Sequence, residues 1–470
     1  IEYAMPGQEK MGQKMMKSSH SSSFDTSLSG NGTYLLMSSN WSSWVYSGYE
    51  GSIQADKDPN KTRDDHSQFR HFKFYSKEIF DEINRIGISK IAGGDNHMFL
   101  LLNNGDAYGY GWDEYNQCLT STIHNNRFGN GIGNRDPLVK CALHHIQDIY
   151  CGANFTYALV KEHFSEDSRD FQMYSAGWNN DRCCSQGVDS HGSSRPLGKV
   201  YCTDEHDQIM LFPPHDERVL CVHCAGCSVA SLTVSRSNPS KKKVYRCGVF
   251  TGFPNPNSNE KTYGCLKYTP VKNETILPGA ISLALCSGSL IVLCEDLSAF
   301  VLGKEIKLSI PIRKAFQLET GCVYMTEENN IYNCSNILSL DTSKDVKWTI
   351  PNFSPESKNN NSGPFETLHA RGSRAIGILS DTCDTLIFNQ VSIHIDHSNL
   401  NRTSIAEMLS EDDQFRLLRG KSLEMQIICC RSCSFVLIKP VKKDDAMRRK
   451  LFMQTQNLGN PFVDINVVWY

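Results

Sequence analysis

Two stretches of this chain gather residue types that could do chemistry at short spacing. The first is Cys221-Val222-His223-Cys224-Ala225-Gly226-Cys227, rich in soft metal ligands. A structural zinc centre pairs two such knuckles. The only comparable stretch is Cys429-Cys430-Arg431-Ser432-Cys433, far along the chain. On a strand alternate side chains face opposite sides, which splits these ligands, so they read as packed thiols, with no metal and no cofactor. The second stretch is Asn125-Asn126-Arg127-Phe128-Gly129-Asn130-Gly131-Ile132-Gly133-Asn134-Arg135-Asp136, with glycines at alternate positions. A phosphate cradle needs a strand before it and a helix after it. Pro137 and the lack of a helical pattern favour a rim loop, with the cradle as the lesser alternative. The sequence holds no G-x-S-x-G, H-E-x-x-H or G-x-x-x-x-G-K-[ST], and no catalytic residue is assigned.

Composition excludes other classes. The 470 residues are 40% hydrophobic and 21% charged with a formal net charge of −3, which permits a sizeable core and argues against binding nucleic acid by bulk charge. No apolar run approaches the roughly 18–20 residues of a membrane-spanning helix, so no membrane association is expected. The longest runs, such as 98–102 and 289–294, are strand-sized. Residues 1–23 are polar, carry Lys10, Lys14 and Lys17, and read as a disordered segment rather than a signal peptide. Nineteen cysteines, several inside apolar strands, and Asn-x-Ser/Thr matches at Asn31, Asn40, Asn60, Asn154 and Asn273 read as reduced thiols and unmodified asparagines of an intracellular protein, cytoplasmic or nuclear.

The elements that must position these residues recur. Ile91-Ala92-Gly93-Gly94-Asp95-Asn96-His97-Met98-Phe99-Leu100-Leu101 reads as strand, turn, strand; Asn104-Gly105 marks a tight hairpin; Ala107-Tyr108-Gly109-Tyr110-Gly111 and Asn116-Gln117-Cys118-Leu119 follow. The order returns at 149–159 and, after a charged insert at 161–170, in Met173-Tyr174-Ser175-Ala176-Gly177-Trp178-Asn179 and Ser185-Gln186-Gly187. Weaker copies begin near Cys224, Leu285, Phe316 and His369, and an incomplete one at Cys429. At the other end, 34–37 and 44–48 look like a copy without its first strand. Stretches 56–65, 235–243, 254–261 and 351–364 read as rim loops, and Ile79, Ile83 and Ile86 place a short helix over 78–86.

Over residues 88–187 this layout resembles the regulator of chromosome condensation repeat. The resemblance implies an all-β fold: a seven-bladed β-propeller spanning 24–440, its ring closed by pairing of the N- and C-terminal half-repeats. Closing the ring this way removes exposed sheet edges. Residues 441–470 read as a basic C-terminal extension that could complete the closing blade; the run Lys439, Lys442, Lys443, Arg448, Arg449 and Lys450, interrupted by Asp444 and Asp445, reads first as a charged face on a short helix, with a targeting patch as the lesser alternative.

In such an array equivalent turns gather at one end of the ring. That face is expected to carry Asp95, Asn96, His97, Asn154, Glu319, Arg371, Arg374 and Arg431, a polar surface for a protein partner. Polar turn residues also have purely structural uses, and His97 in particular is read as hydrogen-bonded within the fold. The resemblance implies an alternative activity, guanine nucleotide exchange on a Ran-like small GTPase. Asp95 then stands at an acidic turn position of the family, and the loop of Arg127, Phe128, Gly129, Gly131, Gly133 and Arg135 serves as a wedge. Asn154 is uncharged where a second acid would be comparable, and charged turns are sparse. A binding scaffold is therefore the primary expectation. Chromatin is also implied as a partner, but the N-terminal lysines are too few for a strong DNA-binding tail.

Overall fold

The computed structural model describes residues 33–39, 70–72, 74, 76–111, 113, 115–120, 138–162, 171–179, 181–187, 194–251, 253, 264–271, 276–286, 288–304, 306–319, 321–348, 365–372, 374–379, 385–388, 400–403, 423–431 and 433–440. Among these, six four-stranded antiparallel sheets each use four consecutive strands. Ile88–Gly93, His97–Leu102, Ala107–Gly111 and Leu138–Lys140 make the first. The others start at Ile146–Cys151, Glu217–Ala225, Ala280–Cys286, Ile312–Gln317 and Phe365–Arg371. A further four-stranded sheet is composite, in the order Arg70–His71, Tyr34–Ser39, Cys433–Pro440, Leu423–Cys429. Tyr34 pairs with Ile438 and Ser39 with Cys433, so the two half-copies share one sheet as the sequence pattern required.

The sheets form an all-β propeller. Their first strands pack side by side around an axis, and Leu423–Cys429 packs between Phe365–Arg371 and Ile88–Gly93. Each neighbouring pair of sheets shares a hydrophobic core. One example joins Phe435 and Leu437 of the composite sheet to Ile91, Met98 and Tyr108 of the first sheet. Another joins Ile376 and Ile378 to Val436 and Ile438. Second strands are sandwiched between adjacent sheets, which is why they read as unbroken apolar runs rather than alternating ones. All six residues of His97–Leu102 and all six of Ser289–Cys294 are buried.

Two local devices recur. Gly111, Gly177 and Gly248, at φ of 106°, 122° and 99°, end the third strand of successive sheets. A Cβ there would strike the carbonyls of Asn96, Asn154 and Cys227, so glycine lets the third strand close onto the turn between the first two. The second device is a bulge near the start of the first strand in all six consecutive sheets. It falls between Ile88 and Lys90, Ile146 and Asp148, Val219 and Cys221, Ala280 and Ser282, Ile312 and Lys314, and Phe365 and Thr367. Such a bulge re-aims the residues after it.

The expected helix is Lys77–Ile86, capped by Ser76, whose hydroxyl accepts the Ile79 N–H at 3.1 Å. A small hairpin, Tyr201–Thr203 with Ile209–Leu211, was not anticipated. The stretch 235–243 is only partly a loop, because Lys242–Cys247 is a strand. The segments 1–23, 44–48 and 441–470 lie outside the described residues, as does the glycine-rich loop with Arg127, Phe128, Gly129, Gly131, Gly133 and Arg135.

Candidate functional face and central channel

The turns between first and second strands meet at one end of the ring and are stitched to one another through the backbone. Arg431 N–H donates to the Asp95 carbonyl (2.9 Å), Asp95 N–H to Ala153 (3.0 Å), Ala153 N–H to Gly226 (2.9 Å), and Glu319 N–H to Gly372 (2.8 Å). Side chains add to this. Asn96 Nδ2 donates to Asn154 Oδ1 at 3.1 Å. Arg431 crosses over Gly372 and pairs with Glu319 at 2.7 Å, both largely exposed. A side chain at Gly372 would press on the Arg431 stem, so glycine leaves that crossing open.

Arg371 reaches inward instead of outward. From the Phe365–Arg371 strand it spans the axis, pairing with Asp95 Oδ1 through Nη1 (3.1 Å). Its Nη2 donates to the carbonyls of Cys151 (2.8 Å) and Cys224 (3.3 Å). One guanidinium thus ties four sheets together at the turn end of the channel. Arg374, expected on the face, is 1% exposed beside Cys429, Cys430 and Cys433. It opens the second strand, whose residues are enclosed by neighbouring sheets, so its side chain is not offered to a partner. His97 is likewise interior. Its Nε2 lies 2.8 Å from Thr156 Oγ1, and that hydroxyl donates to the Gln117 carbonyl (2.7 Å), so Nε2 carries the proton. Burial first, and the charge of Arg371 second, lower the His97 pKa to about 3. Of the eight expected residues the structure therefore brings Asp95, Asn96, Asn154, Glu319, Arg371 and Arg431 together at one end, and places His97 and Arg374 beneath them.

Sequence reasoning missed the channel itself, a cavity of about 770 Å³ along the axis. Alternate residues of the first strands line it in layers. Just past the bulges, Lys90 pairs with Asp148, and Lys314 Nζ donates to Thr367 Oγ1 at 2.6 Å. In the same layer Gln426 bonds the backbone of Ser89 and Ile91 at 2.9 and 3.1 Å. Two residues further along each strand stand Tyr150, His223, Phe316 and His369. The next layer carries Arg371. The signal was available as equal offsets from each bulge, but the bulges themselves are not written in residue type.

The cysteines considered for a metal are accounted for in packing terms, and of the proposed targeting patch only Lys439 is among the described residues, its Nζ donating to the Ser89 carbonyl at 2.8 Å. Cys221 packs with Leu283 and Leu285, whereas Cys224 packs with Tyr157 and Cys183 on the other side of its strand. Among the described residues no group of three or more His, Cys, Asp or Glu is arranged to hold a metal. The described cysteines are free thiols, and all but Cys221 and Cys227 are buried. Lys242 donates to the carbonyls of Pro278 (2.9 Å) and Ala280 (2.6 Å), and Lys243 pairs with Glu217 (3.1 Å), so both of these lysines are engaged within the fold.

The regulator of chromosome condensation (RCC1) repeat matches residues 88–117. Among curated proteins none matches the sequence. Human WBSCR16 is similar in structure at 12% identity, covering 87% of this chain and 100% of its own, with a TM-score of 0.51. Yeast RCC1 (Prp20), solved with Kap60 bound to it, is similar at 11% identity, covering 96% and 100%, with a TM-score of 0.52. At such identities the likeness is one of fold.

Proposed function

We propose that this chain, an RCC1-like β-propeller of seven blades in which the composite sheet is the blade shared by the two ends, is a protein-interaction scaffold. Its partner docks on the turn face around Asn96, Asn154, Glu319 and Arg431. The observation that carries this reading is the stitching of the turns. Backbone bonds and two ion pairs join turns from separate sheets into one rigid polar surface, and a preorganised surface loses little freedom when a partner binds. Buried free thiols support a reducing, intracellular setting.

The alternative is nucleotide exchange on a Ran-like GTPase, for which Asp95 would have to engage the partner. Its carboxylate already pairs with Arg371 inside the ring, which favours the scaffold. Two assays separate the readings. Quantitative capture from cell extract should retain partners on the wild type and on Leu211→Arg, an exposed position on the small Ile209–Leu211 hairpin strand away from the turns, and lose them on Asn96→Arg/Arg431→Glu. Equal retention by all three chains would show the face to be the wrong one. Release of fluorescent GDP from Ran should not accelerate with added protein; acceleration abolished by Asp95→Ala would establish the exchange reading instead.

A further inference from the structure

We infer that the central channel is a binding site for a small planar nitrogen heterocycle of the nucleobase type, held in the aromatic layer of Tyr150, His223, Phe316 and His369. The volume of about 770 Å³ is ample for such a ligand. The ring of Phe316 lies between two imidazoles, with centroids 6.5 Å from His223 and 5.1 Å from His369. The rings are tilted to one another by 45° and 47°, and aromatic edges and faces of this kind favour an aromatic guest.

The hydrogen-bonding groups of the layer point to an uncharged one. His369 Nδ1 accepts the Cys429 N–H at 3.0 Å, so its proton sits on Nε2, which has no partner among the described residues. Neither ring nitrogen of His223 has a described partner. Both rings are neutral: burial, then the charge of Arg371, lowers His223 to about 4 and His369 to about 3. The layer thus presents neutral donors and acceptors, the complement of a heterocycle's ring nitrogens. Of the neighbouring charges, Arg371 is answered by Asp95 and Lys90 by Asp148, and Lys314 donates to the Thr367 hydroxyl. The layer lies beneath the docking face, whose Glu319 also borders the cavity, and its occupancy does not depend on a docked partner.

The test uses the full chain with adenine, adenosine monophosphate and benzoate, followed by ligand-observed NMR and calorimetry. Adenine should bind saturably, and the nucleotide no more tightly. His223→Leu and Phe316→Leu should each weaken adenine at least about tenfold. Where His223→Leu does not fold, His369→Gln, with a polar head retained, supplies the comparison. The inference is overturned by any of three results: no saturable adenine binding up to about 1 mM; adenine binding unchanged in the folded variants; or binding of benzoate and the nucleotide without adenine, which would make this an anion site at Lys90 and Lys314.

Discussion

Mild acid is the perturbation that most directly probes the buried imidazoles. His97, His223 and His369 have pKa values of about 3, 4 and 3 in the folded chain, held down first by burial and then by the charge of Arg371. In the unfolded chain each titrates near 6.5. Below that value the unfolded state takes up protons that the folded state refuses, so stability is full above the unfolded pKa and falls as the pH drops toward the folded ones. From about pH 7.5 to about pH 5.0 each imidazole costs about 2 kcal/mol, and the three together about 6 kcal/mol, a large part of the stability of an ordinary domain. Carboxylates such as Glu82, lowered by hydrogen bonds from Lys140 and then Tyr108, titrate mainly at more acid pH and add to the uptake only toward the acid end of this window. Urea unfolding across this pH range should show the midpoint falling steadily, and potentiometry near pH 5.5 should register about three protons bound on unfolding. His369→Gln should remove about one of them. Proton uptake unchanged by His369→Gln, or a midpoint flat across the range, would refute the reasoning.

Three substitutions probe the frame by thermal and urea unfolding. Arg371→Met strands Asp95 and two carbonyls and should cost about 3 kcal/mol, with Asp95→Asn in the same chain recovering part of it in a double-mutant cycle; additive effects would deny the coupling. Gly177→Ala adds a Cβ against the Asn154 carbonyl at a left-handed φ and should cost about 2–3 kcal/mol, whereas Gly226→Ala, with nothing within 4 Å, should cost about 1 kcal/mol; equal losses would remove the steric account. Glu217 is 1% exposed and accepts from Thr233 Oγ1 (2.6 Å) and Tyr245 Oη (3.0 Å) besides pairing with Lys243; Glu217→Gln should cost about 2–4 kcal/mol, and a neutral result would show the network to be dispensable.

The fold was legible because its repeat is written in turn and packing chemistry. Asn104-Gly105 announces a hairpin, Met98-Phe99-Leu100-Leu101 announces a strand enclosed on both faces, and the half-copies at the ends announce a shared sheet. The face was legible only as a gathering of turns. Arg371, Arg374 and Arg431 look alike in sequence, and nothing in residue type says that the first spans the axis, the second is buried and the third is displayed. The first of these fates follows from parity along a bulged strand. Lys90, Asp148, Lys314 and Thr367 point into the channel because each follows its bulge, and His223 and His369 point there because each lies two residues further on. Cys221 and Cys224, three residues apart on their strand, pack against two different inter-sheet cores. The Cys-His stretch that first suggested a metal centre is therefore divided by the strand that carries it: its cysteines pack the blades, and His223 is left to face the channel.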